Sequence, residues 1–170
     1  MTPPLAIEEV TTRQELRAFV KFPWRVYKGD PNWVPPLISE RLNYLNPEKN
    51  PFYKHAEVAL FLAHRCRQVV GTVAPFVNRH VVEHMGEQVG GFGFFEVIED
   101  YAVAEQLLHT AHQWVKERGM SILRGPTNFT NKRLPWCTYW WRRLPTGDAG
   151  GAYPTLLQGI PRALRHGEIQ

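Results

Sequence analysis

The spacing of apolar positions divides the first 130 residues into a sequence of elements. Leu5 to Val10 is a short apolar run that predicts a first strand. Thr12 and Glu15 stand three apart. That is capping-box spacing, in which the threonine hydroxyl serves a helical amide and the glutamate reaches back. Leu16, Phe19 and Val20 then fall on one stripe of a helix, which Pro23 is expected to limit. A second helix is expected from about Pro36, with Leu37, Ile38, Leu42 and Leu45 as its apolar face and Asn46-Pro47 as its stop. Ala56–Arg65 and Val69–Asn78 are rich in Val, Leu and Phe and are joined by Cys66-Arg67-Gln68, which predicts a hairpin. A further strand is expected over Glu87–Ile98, interrupted by Gly90, Gly91 and Gly93. Asp100 can cap the next helix, where Val103, Ala104, Leu107, Leu108, Ala111, Trp114 and Val115 keep helical spacing up to Gly119. Met120–Leu123 is the last strand. Strand, helix and strand at the end suit a crossover with parallel pairing, and the other strands suit a meander. The expected class is therefore α/β, a mixed sheet with flanking helices, in one domain and without internal repeats.

Residues 131–170 break this pattern. Trp136, Cys137, Trp140, Trp141, Arg142 and Arg143 follow neither a helical nor a strand period. Three of the six tryptophans lie in these last 40 residues. Charge divides at the same place. Residues 1–130 carry 14 basic and 14 acidic side chains, and residues 131–170 carry 6 and 2, so the net charge of +4 comes from the tail. The body has no basic face of the kind that reads nucleic acid, so no nucleic-acid partner is expected. A tryptophan-rich basic tail acting as such a binder is the least favoured of three functional readings.

Other features narrow the class. Cys66 and Cys137 are far apart and lack metal spacing, which suits a reducing compartment. Glu8 and Glu9 stand where a leader would be basic and then apolar, and no apolar run reaches the roughly 18 residues that span a membrane. The cytoplasm is the expected location. His80-Val81-Val82-Glu83-His84 matches a metalloprotease pattern that requires a helix with both histidines on one face and a third ligand. The β-branched pair inside it, the strand before it and Gly86 after it favour a strand end and loop, so no metal is expected. Gly90-Gly91-Phe92-Gly93-Phe94-Phe95-Glu96 has two readings. In one it is a bulged strand approached closely by another chain. In the other, its backbone amides receive a ligand and Glu96, partly buried beside Phe94 and Phe95, is raised towards a base useful at neutral pH. Trp24, Tyr27 and Trp33 are either core or an acyl or lipid groove, the latter compatible with peripheral contact with a membrane.

Phe22-Pro23-Trp24 and the run from Tyr27-Lys28-Gly29-Asp30-Pro31-Asn32-Trp33-Val34 to Pro35-Pro36 resemble the opening of a GNAT-like family, the bacterial ceramide synthase-like acyltransferases. Asn46-Pro47, Asn50-Pro51-Phe52, His55-Ala56-Glu57-Val58, Gly93-Phe94-Phe95-Glu96, Glu117-Arg118-Gly119-Met120 and Arg124-Gly125-Pro126-Thr127-Asn128 continue the resemblance, which covers about residues 5–130. It implies an N-acyltransferase fold using acyl or acetyl coenzyme A and a small-molecule or lipid-like amine acceptor. The thioester would lie along Gly91, Gly93, Phe94 and Phe95, with Glu96 as the base and Asn128, Trp24 and Trp33 as acceptor contacts. Where many GNAT proteins carry a Q/R-x-x-G-x-G/A pyrophosphate loop, this chain has Glu99-Asp100-Tyr101-Ala102-Val103-Ala104. A non-catalytic binding domain on the same fold is therefore the alternative reading.

The family pattern after the R-G-P-x-N element is absent from residues 131–170. It becomes legible when each tail codon is read from its second base. Trp136-Cys137 then gives Gly, Pro154-Thr155-Leu156 permits Pro-Pro, Leu156-Leu157-Gln158 permits Tyr-Tyr, and Arg165 to Ile169 permits Gly-Met-Glu-Lys. The tail is thus expected to be an out-of-frame translation, non-native and poorly ordered. The Met120–Leu123 strand would then be left as a bare edge, with marginal stability and no activity for the chain as written.

Overall fold

The computed structural model describes residues 4–86 and 88–129 and the strand at Glu168–Ile169. The expectation of a non-native, poorly ordered tail otherwise lies outside the described residues. β1 (Leu5–Glu9), β3 (Phe61–Arg65), β4 (Gln68–Asn78), β5 (Val89–Val97), β6 (Ile122–Arg124) and β7 (Glu168–Ile169) lie side by side in that order, and β2 (Ala56–Val58) also pairs with β4. Every pairing is antiparallel except β5 with β6. These two are parallel because the chain crosses over between them through α4 (Tyr101–Lys116). This is the expected mixed α/β sheet.

Helices cover both faces. On one face, Val103, Leu107, Leu108, Ala111, Trp114 and Val115 of α4 pack on Val73, Val77, Phe92 and Leu123. On the other, α1 (Arg13–Val26) contributes Phe19 and Val20, which join Leu62, Ala74, Phe76 and Phe129. Ile38 and Leu42 of α2 (Ile38–Tyr44), with Leu45 just after it, close the same cluster.

The capping box forms as expected: Glu15 N donates to Thr12 Oγ1, and the Glu15 carboxylate accepts from Thr12 N. α1 nevertheless runs one turn past Pro23, because Tyr27 N still donates to the Pro23 carbonyl at 2.9 Å. Leu37 is 70% exposed and caps α2 instead of packing beneath it. Ala56–Arg65 is two strands, not one: β2 and β3 lie either side of Ala59-Leu60, and both pair with the long β4. The hairpin between β3 and β4 turns on Cys66 and Arg67 alone, both at positive φ, the geometry of a two-residue loop that matches strand twist.

Residues 80–84 also differ from expectation. They lie in a short helix, α3 (Arg79–Met85), whose first turn is capped by the Asn78 side chain accepting from His80 N. It ends at Gly86 in the left-handed region, φ 65°. These two caps outweigh the modest helix reluctance of Val81 and Val82. His80 stacks on His55 at 4.1 Å, and His84 Nδ1 lies 3.0 Å from the His80 carbonyl. Among the described residues no group of three or more His, Cys, Asp or Glu is arranged to hold a metal ion. None of the helices there is long and apolar enough to cross a membrane. The edge of β6, expected to be bare, is paired by β7.

Candidate active site

β4 and β5 carry a register shift. Thr72 faces Glu96 and Ala74 faces Gly93, so one residue of β4 stands opposite two of β5, Phe94 and Phe95. Phe94 takes φ +47° at this bulge, and its carbonyl accepts from the buried Thr72 hydroxyl at 2.8 Å. The extra residue inverts the alternation of side chains along the strand. Phe92 packs in the α4 cluster; without a bulge Glu96, four residues on, would point the same way. Instead Phe95 and Val97 continue the α4 face, while Phe94 turns to the α1–α2 face. Glu96 does the same, and there meets Tyr27 from the end of α1. The bulge therefore decides which side of the sheet receives the carboxylate.

The Tyr27 hydroxyl donates to Glu96 Oε2 at 2.5 Å. Burial raises the Glu96 carboxyl to about 7, against the opposing pull of the Tyr27 hydrogen bond and the Arg41 charge. Arg41 lies over the Phe94 ring, 5.7 Å from its centroid, and burial lowers its guanidinium to about 10, so it remains charged at neutral pH. Tyr27 stacks on Trp33 at 5.2 Å, and Trp33 meets Trp24 edge-on at 5.3 Å. All three rings are only partly buried, so they are not interior core. Trp24 and Trp33 are thus linked to Glu96 through Tyr27, and Val34 next to them is 84% exposed.

The glycines of β5 serve close packing. A side chain at Gly91 would strike the Phe76 ring, and one at Gly93 would stand 2.1 Å from the Thr127 carbonyl oxygen. The parallel ladder with β6 ends at Gly91 and Arg124. Beyond it the chain passes through the cis Gly125-Pro126 bond and continues alongside β5 in the same direction. Thr127 N donates to the Phe92 carbonyl at 2.7 Å, and Phe94 N donates to Asn128 Oδ1 at 2.8 Å. Asn128 is thereby a brace for the bulge, and the Phe94 amide has a partner within the chain. The Tyr44 hydroxyl donates to the Asn128 carbonyl, and Phe129 is seated among Tyr44, Phe52, Tyr53, Phe76 and Phe94 at centroid distances of 5.0 to 5.9 Å. Phe95 lies apart from this group, edge-on to Phe92.

The structure thus brings together Glu96, Trp24 and Trp33 on one side and Gly93, Phe94 and Asn128 beside them. Tyr27 and Arg41 were not foreseen in these roles. Tyr27 stood in the aromatic run, but nothing in its spacing marks a partner 69 residues away. Arg41 is a single basic residue on a short helix.

The mixed sheet with flanking helices matches the fold of solved GNAT structures. A tandem GNAT protein from the clavulanic acid biosynthesis pathway superposes with a TM-score of 0.58 at 13% identity, over 89% of this chain and 41% of that one. An aminoglycoside acetyltransferase from an uncultured soil metagenomic sample gives 0.52 at 13% identity, over 88% and 93%. Among curated proteins, the chain is 37% identical over 127 residues to the bacterial ceramide synthase of Caulobacter vibrioides, covering 74% of this chain and 33% of that protein. It is 35% identical over 114 residues to Protein YghO of Escherichia coli, covering 67% and 29%. No protein-family model matches the chain. The chain belongs to the GNAT-like family of the bacterial ceramide synthase-like type, and it spans about a third of the length of these curated relatives.

Proposed function

We propose that this chain is the front part of an N-acyltransferase: the amine nitrogen attacks the thioester carbonyl, and the new C–N bond replaces the C–S bond. Glu96 is the base that takes the proton the amine sheds, and the donor leaves as a thiolate that is protonated to the free thiol. The observation that carries this reading is a carboxyl raised to about 7, turned by a strand bulge onto the face where the Tyr27 hydroxyl meets it and the Arg41 charge acts on it. A base with that affinity is half ionised near neutral pH and still strong enough to accept a proton. The donor is an acyl or acetyl thioester of the coenzyme A class. The acceptor is a small-molecule or lipid-like amine, and the partly buried Trp24 and Trp33 favour an apolar one. Gly91, Gly93, Phe94 and Phe95 form the strand segment along which the donor thioester is proposed to lie, and Asn128 keeps that segment bulged. The name of the Caulobacter relative, a bacterial ceramide synthase, supports acyl transfer and suggests a lipid amine.

Residues 1–130 form the acyltransferase part in this proposal, and residues 131–170 are read out of frame, so that the chain as written does not turn over. The test is a transfer assay with long-chain amines and acyl thioesters, comparing this chain with one whose gene is returned to frame after codon 130. The expected result is activity in the second only, rising with pH through about 7. A rate independent of pH between 5 and 8 would remove Glu96 from the role of base, and full activity in the chain as written would overturn the shifted frame.

A further inference from the structure

The strand carrying Glu96 ends at Val97, and only Ile98 and Glu99 separate it from Asp100, the N-cap of α4. The first amides of a helix have no intrahelical partner, and they form a ready seat for a phosphate. α4 starts beside the proposed transfer site, so its N-terminus is where the diphosphate of a coenzyme A donor would find amides. In this chain two of them are occupied. Asp100 Oδ1 accepts from Ala102 N at 3.0 Å and Val103 N at 3.4 Å, while Arg65 from β3 donates to the second oxygen, Oδ2. The hydrogen bond from Arg65, more than any other influence, holds the Asp100 carboxyl below the usual aspartate range, so it is ionised. Glu99 next to it is exposed and adds a second negative charge. No glycine stands between Gly93 and Gly119 to let the backbone fold its amides around a phosphate. A diphosphate arriving here would meet two carboxylates and would have to displace one from both its helix and its arginine.

We propose that Asp100, clamped by Arg65, closes the α4 N-terminus to the diphosphate of the donor, so that this module does not distinguish a coenzyme A thioester from a bare pantetheine thioester. The inference rests on the acyl-transfer reading for the kind of donor, and the nucleotide end of coenzyme A does not fit the residues present.

The test titrates the full chain with adenosine 3′-phosphate 5′-diphosphate, the nucleotide end of coenzyme A alone, and follows hydrogen exchange at the Ala102 and Val103 amides. The expected result is no saturable binding in the millimolar range and unchanged exchange. Micromolar binding that slows exchange at those two amides overturns the proposal. Asp100→Gly removes the carboxylate at small cost to the cap and releases Arg65. It is expected to gain about tenfold or more in affinity for the nucleotide, and an absence of gain shows that Asp100 is not what closes the site. A parallel titration with octanoyl-coenzyme A and octanoyl-pantetheine is expected to give similar affinities, and a strong preference for the former overturns the proposal. Failure of both thioesters to bind counts against the acyl-transfer reading, and the nucleotide titrations with the wild-type chain and Asp100→Gly still decide the closure.

Discussion

Glu96 and Asp100 are four residues apart in the chain, and their surroundings push them in opposite directions. Glu96 is half-buried on the α1–α2 face, where burial raises it to about 7 despite the hydrogen bond from Tyr27. Asp100 sits at the lip of α4, where Arg65 and two helix amides lower it. One carboxylate is kept ready to exchange a proton near neutral pH and the other is kept charged. Two acids pushed apart in this way define separate roles on one short stretch of backbone. The first is proposed to do chemistry and the second to fix a helix and exclude an anion.

The largest effect expected from breaking this contrast is on transfer. In the chain returned to frame, Glu96→Gln should lower the rate by about 10²–10⁴-fold and abolish its rise through pH 7, as steady-state rates from pH 5 to 9 would show. A loss of less than about tenfold would leave catalysis to other groups. Next is stability. A carboxyl raised in the folded state binds its proton more tightly there than in the unfolded chain. Wild-type stability should therefore fall as pH rises from the unfolded value of about 4.5 to about 7. The drop should be on the order of 3 kcal/mol or less and absent from Glu96→Gln in denaturant titrations at pH 5 and 8. Asp100 has the opposite sign: its contribution is present above the unfolded aspartate value of 3.8 and is lost as pH falls through its lowered folded value. Asp100→Ala should cost about 1 kcal/mol at pH 7, within the roughly 0.5–2 kcal/mol range of lost caps, and less at low pH. The smallest change is the sharpest probe: Tyr27→Phe removes the hydrogen bond that favours the ionised form, so the Glu96 titration should move upward.

The contrast also marks how far the sequence was legible. The α4 stripe, the Thr12–Glu15 box, the Asp100 cap and the hairpin were readable because each depends on residues within a few positions of one another. Glu96 was readable from the aromatic and glycine-rich run around it. The bulge that aims it was placed at the glycines by sequence. It falls instead on Phe94 and Phe95, where the positive φ is held by Thr72 and Asn128, partners 22 and 34 residues away. Tyr27, Arg41 and the seat of Phe129 were missed for the same reason: their partners are joined only by tertiary packing, which overrides local preference. α3 was missed because two β-branched residues were weighed above the caps on either side.

The role proposed for Glu96 depends on its being a near-neutral carboxyl on the face chosen by the bulge. The direct measurement is a carbon-13 NMR titration of the glutamate side-chain carboxyls, assigned by comparison with Glu96→Gln. One resonance, missing in the variant, should titrate with a midpoint near 7. A midpoint for that resonance near the ordinary glutamate value of 4.5 would contradict the account.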